Sequence, residues 1–271
     1  SRQAAAIGVH GFLQVTPYYN KPPQDGLVKH FETIAAATPL PNILYNVPAR
    51  TNVNMTAETV ARLSGVDNIM GVKEASGDFD QIAEIARTVE GEFHIYSGND
   101  SDTFLVLALG GVGVISVQSH LVSGETRRLI DSFVEGDQEA ARRQHFRLLP
   151  IARALFPTGW PTPPPIKAAL NMSGFEVAKP RLPLVELPDD MCSGLRQLVK
   201  SYELDAFLEP VAVSVSRVIE LPPFPDLERL ATAVPTCERC APPSLPFPSI
   251  TNTEFPNIFS AVSFSMPLDI T

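Results

Sequence analysis

In Asn68-Ile-Met-Gly-Val-Lys-Glu-Ala-Ser76 a lysine ends an otherwise apolar run. If this run is a strand of a parallel βα barrel, side chains alternate between the interior and the surrounding helices. Gly71 and Lys73 then share one face, and Met70 and Val72 take the other. Lys73 would point into the barrel mouth, where loss of water disfavours its ammonium form and frees the amine to attack a ketone carbonyl. That is the chemistry of a Schiff base. A second apolar run, Asn42 to Tyr45, ends in a phenol and continues into Asn-Val-Pro-Ala-Arg-Thr51. Neighbouring parallel strands bring their C-terminal ends to one mouth, so Tyr45 can relay protons between imine, carbinolamine and substrate. Arg50, just past Pro48, offers a planar donor fork for a carboxylate. In a third segment, Leu13 to Pro22, a strand runs into a loop with paired tyrosines, Tyr18 and Tyr19. Singly, each has an ordinary reading: a lysine snorkelling to solvent, a tyrosine packing its ring, a surface arginine, a common βα loop. Together they point to a site.

The elements that must position these residues can be read from hydrophobic patterning. Short apolar runs at Gly11 to Val15, Asn42 to Tyr45, Ile69 to Val72, Phe93 to Tyr96 and Gly113 to Val117 alternate with helical patterns. A spacing of roughly 20 to 30 residues fits strand, loop and helix, which predicts repeated βα units and a parallel sheet of five strands. Helix starts are signalled by Pro22 and Pro23 before 26–38, by Thr56 before 57–63 and by Asp78 before 79–89. The stretch from Thr103 to Val117 reads as a buried helix running into a strand. Beyond Val117 the pattern predicts helices alone, over 119–135, 138–156, 165–172 and 189–202. From about Leu208 a proline-rich stretch with little periodicity predicts a poorly ordered tail. The expected organisation is therefore 1–118, 119–208 and 209–271.

The chain has 271 residues, 44% of them hydrophobic and 19% charged, enough to bury a full core. A net charge of −9 gives a field wrong for nucleic acid or an anionic membrane, so neither partner is expected. The longest apolar stretch is broken by Gly110, Gly111 and Gly113 and is shorter than the ~20 residues a bilayer needs. Only three cysteines occur, Cys192 and the Cys237-Glu-Arg-Cys240 pair, too few for a disulfide framework, which favours a reducing cytoplasm. The pair reads as a redox pair or as half of a zinc site, a weak signal without a second ligand pair. The five scattered histidines, His10, His30, His94, His120 and His145, suggest structural roles and no metal site.

TPYYNKP, ILYNVPART, GVKEASGD, YSGND, GVGVISV and PTPPPIKAALNMSG occur here in an order and spacing that resemble the dihydrodipicolinate synthase family of pyruvate-dependent lyases. The resemblance covers about three quarters of the chain, to near Leu208. It implies a (β/α)8 barrel, of which about five βα units are visible, followed by a helical region. It implies that Lys73 forms an imine with pyruvate, that Tyr45 relays protons, and that Tyr19 reaches into a neighbouring subunit of a homotetramer. Arg50 would bind the carboxylate of the second substrate, and backbone around Gly98 and Ile115 would line the pyruvate pocket. No cofactor is implied. The Val-Pro-Ala-Arg-Thr run is similar to synthases rather than to sialic acid lyases, which implies condensation of pyruvate with L-aspartate 4-semialdehyde, a step toward lysine and diaminopimelate. Other pyruvate aldolases of the group, acting on sialic acid or ketodeoxygluconate, are the alternative.

Two departures accompany the resemblance. The opening SRQAAAIG reads as a helix end leading into the family's fourth strand, so three βα units, with the family's Gly-Thr-Thr-Gly-Glu segment, are expected to be missing. Those threonines would hold the pyruvate carboxylate and complete the proton relay. The chain by itself is therefore expected to turn over poorly, or to act as a noncatalytic remnant that associates with intact subunits. The second departure is the tail.

Overall fold

A computed structural model describes residues 1–89, 91–202 and 204. The expected tail and its two cysteines lie outside the described residues. In chain order the first half runs α1 (Arg2–Ala6), β1 (Phe12–Val15), α2 (Gln24–Ala35), β2 (Asn42–Asn46), α3 (Pro48–Thr51), α4 (Ala57–Ser64), β3 (Ile69–Glu74), α5 (Phe79–Thr88), β4 (His94–Ser97), α6 (Thr103–Ala108) and β5 (Gly113–Val114). Helices follow: α7 (Ser119–Val134), α8 (Gln138–Ala154), α9 (Pro163–Met172) and α10 (Asp189–Ser201). The five strands form one parallel sheet in sequence order, with a helix after each strand. This is a partial (β/α)8 barrel, with β1 and β5 as the edges of the described sheet.

Two strands differ by more than one residue from their patterning. The third does not stop at Val72 but continues through Lys73 and Glu74, which pair with Tyr45 and Asn46 on β2. The fifth is shorter than expected: only Gly113 and Val114 pair with β4, and the chain then turns around the Asp100 carboxylate. Thr56 and Asp78 cap their helices as read, accepting the backbone N–H of Thr59 at 3.3 Å and of Gln81 at 3.0 Å.

One face of the sheet is covered by α2, α4 and α5, and the helices after β5 pack among themselves. One cluster packs Leu44 and Val72 against Leu27, Phe31, Leu63 and Ile82, which are essentially inaccessible. A second joins Leu129, Leu148, Ile151 and Leu155 of α7 and α8 to Ala169 and Leu195.

Register carries the site. Val15, Tyr45, Lys73 and Tyr96 form one row of cross-strand partners, and Asn46, Glu74 and Ser97 form the next. Between Asn42 and Ile43 the register shifts, so that Met70 is an extra residue on β3, a local bulge. At Gly71 the strands approach closely: a Cβ there would lie 2.4 Å from the His94 carbonyl oxygen. Backbone would have to move. Gly71→Ala is expected to cost about 1 to 3 kcal/mol, as overpacking does, which urea unfolding measures. An unchanged midpoint would show that β3 and β4 can separate freely.

Behind the strand ends runs a polar seam. The Gln24 carboxamide oxygen accepts from Thr59 Oγ1 at 2.7 Å and from the Thr56 N–H at 3.2 Å, while its amide donates to the Asn54 carbonyl at 2.9 Å. Asn54 in turn donates to the Gln81 oxygen at 2.7 Å. Helices α2, α4 and α5 are thereby tied to the segment between α3 and α4.

Candidate active site

The row Tyr45, Lys73, Tyr96 lies at the C-terminal ends of three adjacent strands, on the side opposite the seam. Lys73 Nζ sits over the Tyr45 ring, 4.4 Å from its centroid. Only 6% of Lys73 is exposed, and burial lowers its ammonium from the usual 10.5 to about 8. Two charges act on it besides. The Asp100 carboxylate favours the ammonium and the Arg50 guanidinium opposes it. Burial also raises the Tyr45 phenol, with Arg50 pulling it back, and pushes the Tyr96 phenol up to about 12. At neutral pH the site thus holds intact phenols beside an amine that deprotonates far more readily than a surface lysine.

Arg50 stands on α3, the single turn that Pro48 starts immediately after β2 and that Asn52 ends in the left-handed region, at φ 57°. Its side chain is exposed, and Nη2 donates to Thr162 Oγ1 at 3.0 Å. Thr162 immediately precedes α9, so the PTPPPIK segment bears on the site through the arginine. The Gly98 N–H donates to the Glu74 carbonyl at 2.7 Å and the Ile115 N–H to the Ser97 carbonyl at 3.0 Å. These bonds place both residues just past the strand ends, flanking the row that contains Lys73. A Cβ on Gly98 would fall 2.5 Å from that of Ala75, so the backbone approach here depends on glycine.

Tyr19 is not brought to this row: its side chain is 92% exposed, on a loop where its own φ is 67°. Sequence reasoning missed Asp100. It is buried, and its Oδ2 accepts from the N–H of Val117 at 3.0 Å and of Gln118 at 2.9 Å, while burial raises its pKa. YSGND contains it, but a carboxylate in a loop motif carries no sign that it will be enclosed. Thr16, fully buried at the end of β1, donates to Thr51 at 3.2 Å and was likewise unmarked. Among the described residues no three His, Cys, Asp or Glu side chains gather to hold a metal ion, and no helix is long and apolar enough to cross a membrane.

The chain is similar to known proteins over most of its length. Residues 1–202 match the family model described as the dihydrodipicolinate synthetase family. The 4-hydroxy-tetrahydrodipicolinate synthase of Dehalococcoides mccartyi is 51% identical over 203 residues, covering 75% of this chain and 68% of that protein. That of Heliobacterium modesticaldum is 48% identical over 206 residues, covering 76% and 68%. Among solved structures, the enzyme from Cyanidioschyzon merolae with lysine bound superposes with a TM-score of 0.72 at 45% identity, covering 75% of this chain and 68% of that one.

Proposed function

Since the chain belongs to the dihydrodipicolinate synthetase family, we propose that it is a Schiff-base lyase of the synthase type, condensing pyruvate with L-aspartate 4-semialdehyde. The observation that carries this reading is a buried lysine, with its ammonium lowered to about 8, over a tyrosine ring at the ends of adjacent parallel strands. The Lys73 amine attacks the ketone carbon of pyruvate, and the carbinolamine loses water to give an imine. The imine draws electrons from the methyl group, which loses a proton. The resulting enamine carbon then attacks the aldehyde carbon of the second substrate. Tyr45 shuttles the protons of these steps, Arg50 holds the aldehyde's carboxylate, and backbone around Gly98 and Ile115 shapes the pyruvate pocket. Tyr19, exposed in one chain, serves the site of a neighbouring copy in a homotetramer. In this reading residues 1–118 supply the chemistry and 119–208 the helical support, and the protein works in the cytoplasm.

The test is borohydride reduction with pyruvate, followed by peptide mass mapping. The adduct should sit on Lys73, and its rate of formation should climb as pH rises through about 8, because only the free amine is nucleophilic. Lys167 is the natural competitor, since it too is buried, its Nζ donating to the Lys179 carbonyl at 3.3 Å. An adduct there, or an undiminished yield in Lys73→Ala, would overturn the assignment. Turnover of aspartate semialdehyde compared with sialic acid and ketodeoxygluconate decides among substrates.

A further inference from the structure

Glu74 follows the imine-forming lysine, faces the other side of the sheet and is 1% exposed. Its carboxylate is surrounded by N–H donors. The Asn46 amide donates to Oε1 at 3.2 Å and to Oε2 at 3.0 Å, the Ser76 backbone N–H to Oε1 at 2.7 Å, and the Gln81 amide to Oε2 at 3.3 Å. Asn46 is itself fixed in orientation. Its Oδ1 accepts from the Met55 N–H at 2.9 Å, so its amide must point at Glu74 and at Asn54 Oδ1, 2.8 Å away. One carboxylate thus gathers the end of β2, the end of β3, the segment after α3 and the start of α5.

We propose that Glu74 is a positioning residue for the condensation. Through Asn46, Met55 and Ser76 it holds the 47–56 segment, which carries Arg50, in fixed relation to the strand that carries Lys73.

The two rows of the register make this relation specific. Tyr45 opposite Lys73 faces the site, and one residue on, Asn46 opposite Glu74 faces the seam. Lys73 is kept in place by the strand ladder on both sides. The 47–56 segment lies beyond the ladder, and its tie to the end of β2 runs through Asn46, whose amide the carboxylate orients. Loss of the clamp should therefore spare attack on pyruvate and impair capture of the second substrate. An amide cannot replace the acid, because its NH2 would face donors on at least one side. A reciprocal exchange restores part of the network: when Asn46→Asp accompanies Glu74→Gln, the amide now on β3 donates to the carboxylate now on β2, while the contacts to Asn54 and to one of Ser76 and Gln81 stay mismatched.

The proposal rests on the Schiff-base reading, and the experiment separates the two. Full chains carrying Glu74→Gln and Asn46→Asp/Glu74→Gln are compared with wild type in three readouts. These are amide exchange of peptides spanning 47–56 and 75–81, borohydride trapping with pyruvate, and the rate at which added L-aspartate 4-semialdehyde drains the trappable adduct. In Glu74→Gln, exchange at both segments should quicken at least tenfold and drainage should slow tenfold or more, equal to about 1.4 kcal/mol. Trapping should stay within about threefold of wild type, since each 1.4 kcal/mol is tenfold and the ladder holding Lys73 is intact. The double variant should recover part of both losses. Unchanged exchange in Glu74→Gln, or trapping that falls as far as drainage, would overturn the proposal. A wild-type chain with no adduct at all would instead sink the Schiff-base reading, and exchange would still report whether the clamp holds the segment.

Discussion

Replacing Lys73 by methionine should abolish the pyruvate adduct and at the same time stabilise the folded chain at pH 7 by about 3 kcal/mol. The first effect follows from removing the nucleophile. The second follows from linkage. Unfolded, the lysine titrates near its ordinary 10.5, whereas burial brings it to about 8 in the fold. Below pH 8 both states carry the proton, and the fold bears the full cost of an ammonium withdrawn from water. Between 8 and 10.5 the folded amine is already neutral while the unfolded one is still charged, so stability rises with pH. Above 10.5 the cost is gone. Methionine is similar in length, flexible and uncharged, and fills the same space without that cost. Urea unfolding at pH 7 and pH 10 checks both halves: the variant should lead at pH 7, and most of the gap should close by pH 10. A variant no more stable than wild type at pH 7 would mean that the ammonium is well solvated in the fold.

Tyr45→Phe should slow the exchange of pyruvate methyl protons with deuterated water by about a hundredfold or more, the usual contribution of a positioned proton donor or acceptor. Exchange requires imine formation and loss of a methyl proton but no second substrate, so it isolates the steps assigned to the phenol. Phenylalanine keeps the ring beneath Lys73 Nζ and hence the cation–π contact at 4.4 Å. Pyruvate binding, read from the concentration dependence of trapping, should therefore shift less than about threefold, because transition-state contacts alone are lost. Exchange at the wild-type rate, followed by proton NMR, would remove Tyr45 from the relay. A much higher pyruvate concentration needed for half-maximal trapping would assign the hydroxyl to binding instead.

The lysine and tyrosine were legible because a polar group ending an apolar run is an anomaly within a single strand, and strand periodicity supplies its direction. The helices around the sheet were legible for the same local reason, with Thr56 and Asp78 marking starts by their own hydrogen-bonding chemistry. Glu74 shows the limit. It stands next to Lys73 in the sequence, yet what encloses it comes from Asn46, Ser76 and Gln81, and a donor ring assembled from three elements leaves no mark in any one of them. The apolar run of the third strand ends at Val72, and the ladder that carries it on through Lys73 and Glu74 is set by pairing to Tyr45 and Asn46, which the run alone does not mark. Asp100 was passed over because its backbone partners lie at Val117 and Gln118, across a helix and a strand. The end of the fifth strand was overextended for the same cause, since that carboxylate draws the chain away from the ladder.

The alternation along the third strand bears on what kinds of genetic change this part of the protein can absorb. Lys73 and Glu74 are opposite charges on opposite faces, each in surroundings that suit only itself, and pairing to Tyr45 and Asn46 fixes which goes where. A codon gained between Gly71 and Lys73 shifts the pleat by one residue and carries the ammonium to the position of Glu74, where it would meet a ring of N–H groups with nothing to accept its protons. A codon lost there carries the carboxylate to the position of Lys73, beside the Tyr45 ring, and the ammonium to the position of Val72, in the apolar core. Two charges would be misplaced by a change that alters no side chain. Strand length here thus matters to two buried groups at once, and the bulge at Met70, where the strand already accommodates one extra residue, lies upstream of both.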